Sequence, residues 1–136
     1  MRVFVVHTKD HVKAALQAAR QASCPMALQS TPDAIFYAGP LYLLTMFRQV
    51  KQDFPDVEAT FTIDCADAHA EAIQAMQVGH THIRSSAPQK IQTKLAAIAA
   101  EHGVTWQDFP YEALDLQLAG STTDAMIESI TRDLCK

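Results

Sequence analysis

The sequence predicts an α/β fold of about five strand–helix units, built on a parallel sheet with helices on both faces. Two arrangements satisfy that pattern: a flavodoxin-like three-layer sandwich, or half of a (β/α)8 barrel. Three observations carry the prediction. Short apolar runs alternate with amphipathic stretches along the whole chain. The connections between them are short, which forces parallel pairing through right-handed crossovers. The length of 136 residues suits one domain, residues 1–136, and an apolar fraction of 49% suffices for one core.

The elements follow in order. Residues 3–6 form a continuous β-branched and aromatic run, as expected of a strand covered on both faces. Thr8 is placed to cap the next helix, where Val12, Ala15, Leu16, Ala19 and Ala22 recur three and four residues apart. Pro25 ends that connection, and residues 26–29 read as the second strand. The stretch 30–40 is the longest loop, punctuated by Pro32, Asp33, Gly39 and Pro40. A second helix then carries Leu43, Leu44, Phe47 and Val50 on one face until Pro55. Residues 57–63 are the third strand. Asp67 is a suitable N-cap for a third helix with Ala72, Ile73 and Met76, ended by Gly79. Residues 81–84 are a short fourth strand. Ser86 and Pro88 open a fourth helix with Ile91, Leu95 and Ile98 inward. Residues 104–107 are a weak fifth strand, and the segment 109–120 has no assigned role. Ser121 and Asp124 stand at capping-box spacing before a last helix with Met126, Ile127, Ile130 and Leu134.

Composition narrows the functions. Eleven basic and fifteen acidic residues give a net charge of -4 with no Lys/Arg cluster, so no nucleic-acid partner is expected. No apolar run approaches the roughly 20 residues of a membrane span, and the first run stops at His7, too short for a signal segment. Three cysteines, Cys24, Cys65 and Cys135, show no C-x-x-C spacing. That usage fits a reducing, cytoplasmic setting. With four glycines there is no Gly-rich phosphate cradle, and no G-x-S-x-G elbow is present, so no cofactor is expected. A response-regulator reading fails because His7-Thr8-Lys9-Asp10 stands where that fold carries an acidic pair.

Ligands of parallel α/β sheets bind beyond the carboxyl ends of the strands. That rule selects His7, Thr8, Ser30, Thr31, Asp64, Cys65, Ser85, Ser86 and Asp108, with Asp67 at the next helix start. Helix starts at Thr8, Asp67 and Ser86 suit a small anion. His7 and Asp64 are the candidate acid/base pair. The competing account makes Thr8, Asp67 and Ser86 caps, Asp64 a loop acceptor, His7 a structural histidine and Cys65 a small buried hydrophobe. His80 and His82 alternate along one strand without a third ligand, and Cys65 with His69 and His7 matches no specific metal spacing, so no metal site is assigned. A faint internal repeat maps Ala15-Leu16-Gln17-Ala18 onto Ala72-Ile73-Gln74-Ala75; the same offset maps Phe4 onto Phe61 and His7 onto Asp64.

Ala14-Ala15-Leu16-Gln17-Ala18-Ala19 running into Cys24-Pro25-Met26-Ala27-Leu28-Gln29-Ser30 resembles class II fructose-bisphosphate aldolases, as do Ala34-Ile35-Phe36-Tyr37-Ala38-Gly39 and Thr62-Ile63-Asp64-Cys65. The last of these lies where that family carries His-x-Asp-His. The resemblance implies a truncated half of a metal-dependent eight-unit barrel. It places Asp64 at the family's proton-transfer carboxylate, and Thr62 and Cys65 where zinc ligands stand, so the metal ligands are not retained.

Three functions follow as expectations. The first is a non-catalytic domain that binds a small, anionic molecule or a protein. It self-associates as a homo-oligomer, with Leu43 and Phe47 of the second helix as the interface. The second is a small lyase or isomerase acting on a carbonyl or phosphorylated substrate through Asp64 and His7. The third is a metal or redox sensor working through Cys65.

Overall fold

The computed structural model describes residues 3–107, 113–116 and 123–134. The described residues form six strands and six helices: β1 (Val3–Val6), α1 (Lys9–Ala22), β2 (Met26–Ser30), α2 (Ala34–Tyr37), α3 (Pro40–Gln52), β3 (Ala59–Asp64), α4 (His69–Val78), β4 (His82–Arg84), α5 (Gln89–Glu101), β5 (Thr105–Gln107), β6 (Ala113–Asp115) and α6 (Thr123–Leu134). All pairings are parallel, and the sheet order is β5-β4-β3-β2-β1-β6. Of the two arrangements open to the sequence, β1 to β5 take the sequential order of a half-barrel, and β6 adds beside β1. β2 lies between β1 and β3, so His7 and Asp64 stand at the ends of strands that do not touch. The helices pack in matching order, α1 against α3 and α6, α3 against α4, α4 against α5.

The pleat sorts side chains into two faces. Phe4, Leu28 and Phe61 pair in register and are buried. With Ile63 and Ile83 they meet Val12, Leu16, Leu43, Val50, Met76 and Leu95 from the helices. Phe47 of α3 stacks on Phe61, ring centroids 5.3 Å apart. The alternate positions are mostly polar: Asp115, Gln29, Thr62 and His82 share one register row with Val5. Such a row explains why the strands do not read as purely apolar runs.

Local chemistry sets the ends of the elements. Thr8 caps α1, its Oγ1 accepting from the His11 N–H at 3.2 Å. Gly79 closes α4 at φ 109°, a left-handed conformation that costs a glycine little. Three expectations are corrected. α4 and α5 take Ala68 and Pro88 at their N-caps, so Asp67 and Ser86 are not the caps. The loop after β2 folds one short helix, α2, because Asp33 begins a turn that Ala34 and Ile35 bury. Leu43 belongs to the core and Phe47 is half-buried on Phe61, so neither faces outward as an interface. The segment instead shows Phe36, Tyr37, Leu41 and Tyr42 to solvent, each 61–72% exposed. Asp108, Ser121 and Cys135 lie outside the described residues. No described helix is long and apolar enough to cross a membrane.

Candidate functional site

Two carboxylate clusters occupy the carboxyl end of the sheet. The first centres on Asp64, the last residue of β3, which is 6% exposed. Its Oδ1 accepts from the Ala66 N–H at 2.9 Å, and its own N–H donates to Ser30 Oγ at 2.9 Å. Gln29 Nε2 donates to Oδ2 at 3.5 Å, and Arg84 Nε stands 3.8 Å from the same oxygen. Burial pushes the Asp64 carboxyl above the ordinary aspartate value, while the Ala66 N–H and the Arg84 charge pull it down. Ala66 holds a left-handed φ of 49° to present that N–H. Ser85 continues the lattice: its Oγ donates to the Ala66 carbonyl and accepts from the Ala87 N–H. Ser86 N–H donates to the Ala66 carbonyl at 2.8 Å, with its side chain exposed, as is Asp67. This cluster holds the β3 and β4 loops together.

The second cluster centres on His7, the residue after β1. His7 Nε2 lies 2.6 Å from Asp115 Oδ1, the last residue of β6, whose register partner is Val5. The His7 N–H donates to His11 Nδ1 at 3.0 Å, and the two rings meet edge to face at 5.6 Å. Accepting at Nδ1 leaves the neutral His11 ring its proton on Nε2. Burial, then the nearby His7, lowers the His11 pKa; Asp115 and Asp10 oppose them.

A cavity of about 440 Å³ opens beside this second cluster. His7, Thr8, Lys9 and Ser30 form its polar wall, Leu43, Met46 and Phe61 its apolar wall, and Tyr37 and Tyr42 also line it. Lys9 Nζ donates to Gln49 Oε1 at 3.3 Å and has no carboxylate partner among the described residues. The arrangement can take a small molecule with an apolar or flat body and one negative group. Thr31 is half-buried at the edge of β2, its carbonyl accepting from Ala34 N–H. Asp64 does not line the cavity.

The remaining candidates are accounted for by packing. Cys65 is fully buried, and burial, then Asp64 and Glu71, push its thiol up to about 12. A buried thiol so held is a poor nucleophile. Thr62, the other position matched to a zinc ligand, is buried in its strand. Among the described residues no three His, Cys, Asp or Glu side chains come together to hold a metal ion. The donor set does not fit a divalent metal. His80 precedes β4 and donates through Nε2 to the Pro40 carbonyl, 2.7 Å, so it does not share the strand face with His82.

Sequence reasoning missed Asp115, Lys9, Tyr37 and Tyr42. For Asp115 a signal existed: Leu114, Asp115 and Leu116 alternate with the period of a strand.

No protein-family model and no curated protein matches the chain. Among solved structures, it is similar to a protein from Coccidioides immitis provisionally assigned as a fructose-1,6-biphosphate aldolase. The TM-score is 0.66 at 19% identity, over 78% of this chain and 39% of that one. The likeness shows an aldolase-like fold, and the chain spans about two fifths of that protein's length.

Proposed function

We propose that the chain is a small-molecule-binding domain on an aldolase-like half-barrel, taking a small organic anion into the cavity between β1, β2 and α3. The observation that carries this reading is Lys9. Lys9 lines a cavity whose other walls are largely apolar and aromatic, and its ammonium, which donates to Gln49, has no carboxylate partner among the described residues. A ligand carboxylate or phosphate supplies the missing charge, and the apolar wall holds its body. Amide NMR shifts during titration with pyruvate, benzoate and glycerol phosphate test it. At least one of the three should move Thr8, Lys9 and Ser30. Lys9→Met should weaken that binding roughly fivefold at low salt, the weight of an exposed ion pair of ~1 kcal/mol. Silence at those amides with all three anions contradicts the reading.

The finer resemblance, to class II aldolases, supports descent from a metal-dependent barrel whose ligand positions now hold Thr62 and Cys65. The aldolase assignment of the structural neighbour favours the lyase or isomerase alternative over the sensor. The sensor reading has nothing to stand on while the Cys65 thiol is held buried and protonated.

Self-association is the second part of the reading. Phe36, Tyr37, Leu41 and Tyr42 form an exposed apolar stretch across α2 and the start of α3. Light scattering on the native protein, and on a Phe36→Lys, Leu41→Lys variant, tests it. A dimer that becomes a monomer in the variant supports the idea, and a native monomer removes it.

A further inference from the structure

The sequence pairs His7 with Asp64; the structure pairs it with Asp115. We propose that the cavity is catalytic as well as ligand-binding, with the His7–Asp115 pair removing a proton from the carbon beside a carbonyl group of a small anionic ligand. The inference rests on reading the cavity as the ligand site, and it departs from a purely non-catalytic role.

Four observations carry it. Asp115 Oδ1 stands 2.6 Å from His7 Nε2, so the carboxylate holds the ring proton on that nitrogen. Nδ1 is then the nitrogen with a lone pair, and no described residue bonds to it. His7 lines the cavity, whereas Asp64 does not. The His7 backbone is fixed by donation to His11 Nδ1 and by the edge-to-face ring contact, so the imidazole is held rather than swinging in solvent. Lys9, two residues on, brings a positive charge to the same wall.

The step balances without any co-reactant. His7 Nδ1 takes the proton from the α-carbon. The electron pair of the broken C–H bond becomes the C=C bond of an enolate, and the carbonyl π pair moves onto oxygen. The new imidazolium is stabilised by the Asp115 carboxylate, and the positive Lys9 side chain favours the enolate charge. The imidazolium exchanges its proton with solvent, to which the His7 side chain is 21% exposed. Return of a proton to carbon completes one exchange turnover. His7 is the catalytic residue of this scheme, and Asp115 a positioning residue that fixes its tautomer. Asp64 is unsuited to the same task, because both its oxygens are already engaged by Ala66, Gln29 and Arg84.

The test follows deuterium incorporation into the methyl group of pyruvate in D₂O by ¹H NMR, beside amide-shift titration with pyruvate. The wild-type protein should accelerate exchange over buffer. His7→Gln should return it to background with a native-like amide spectrum. Asp115→Asn should slow it by about 100-fold while the pyruvate titration midpoint stays within about twofold of wild type. The ¹⁵N spectrum of that variant should show His7 losing its Nε2–H tautomer, and Asp115→Glu should restore part of the rate. Pyruvate that shifts the cavity amides without accelerated exchange overturns the proposal and leaves the ligand reading standing. Exchange in Asp115→Asn equal to wild type overturns the positioning role. Absence of both shifts and exchange with pyruvate overturns the proposal, and the ligand reading falls with it only where benzoate and glycerol phosphate also leave the cavity amides unmoved.

Discussion

The Asp64 cluster and the His7 cluster sit at the same end of the same sheet, yet they are built for different work. Asp64 is enclosed by β2, β4 and the turn at Ala66, and its oxygens are occupied. His7 leans on a carboxylate from the sheet edge and lines a cavity. A polar residue at the carboxyl end of a parallel strand is therefore only a candidate. What separates site from scaffold is whether its hydrogen-bonding capacity is already used by the chain.

Substitutions can break or sharpen that contrast. The largest effect belongs to the layer beneath both clusters. Leu43→Asp buries an unpaired carboxylate against Phe61 and Met46, and should cost more than ~4 kcal/mol or abolish folding, read by urea unfolding. A folded, monomeric Leu43→Asp protein would return that residue to an interface. Next comes Asp64→Ala, which orphans the Ala66 N–H and opens a void, for ~2–4 kcal/mol. Asp64→Asn keeps an oxygen for that N–H and removes a charge that burial disfavours, so its stability should stay near wild type at neutral pH. His7→Gln should cost ~1 kcal/mol or less, because its side chain is partly exposed at a rim and bonds to a partly exposed carboxylate. If His7→Gln destabilises more than Asp64→Ala, the assignment of scaffold and site is reversed.

The pH dependence separates them more finely. The His11 pKa is lowered by burial and by His7, and the pKa values of His80 and His82 are lowered by burial. A group whose folded pKa is depressed binds fewer protons in the native state. Its contribution is present above the unfolded value of 6.5 and is lost as pH falls through the folded pKa. The unfolding midpoint should therefore drop below pH 6.5. His11→Asn, whose side-chain oxygen can still accept the His7 N–H, should flatten that drop. Asp64 has the opposite sign: its raised pKa contributes stability at low pH that is lost as pH rises through the folded value. An unchanged slope in His11→Asn would remove His11 from the account.

Much of this was legible in the sequence. The strand at Val3 and the helix stripe from Val12 to Ala19 follow from periodicity alone, and both are core in the structure. His7, Thr8 and Ser30 were found by the strand-end rule, and all three line the cavity. The order of the strands was not legible, because short crossovers permit either arrangement; only pairing decides it. β6 is three residues with one Leu inside, so the Leu114, Asp115, Leu116 alternation was too short a signal to single out Asp115. For Leu43 and Phe47 the sequence left two readings, a buried core helix and a self-association face, because α3 carries apolar residues around most of its circumference. Tyr42 and Leu41 are as apolar as the residues that are buried, so composition does not tell the two sides apart.

The most direct measurement is the amide-shift map of the native protein titrated with pyruvate. The account predicts perturbations that centre on His7, Thr8, Lys9 and Ser30 and leave Asp64, Ser85 and Ser86 unmoved. Perturbations centred on Asp64 to Ser86, with the His7 rim silent, would contradict it and make the enclosed cluster the site.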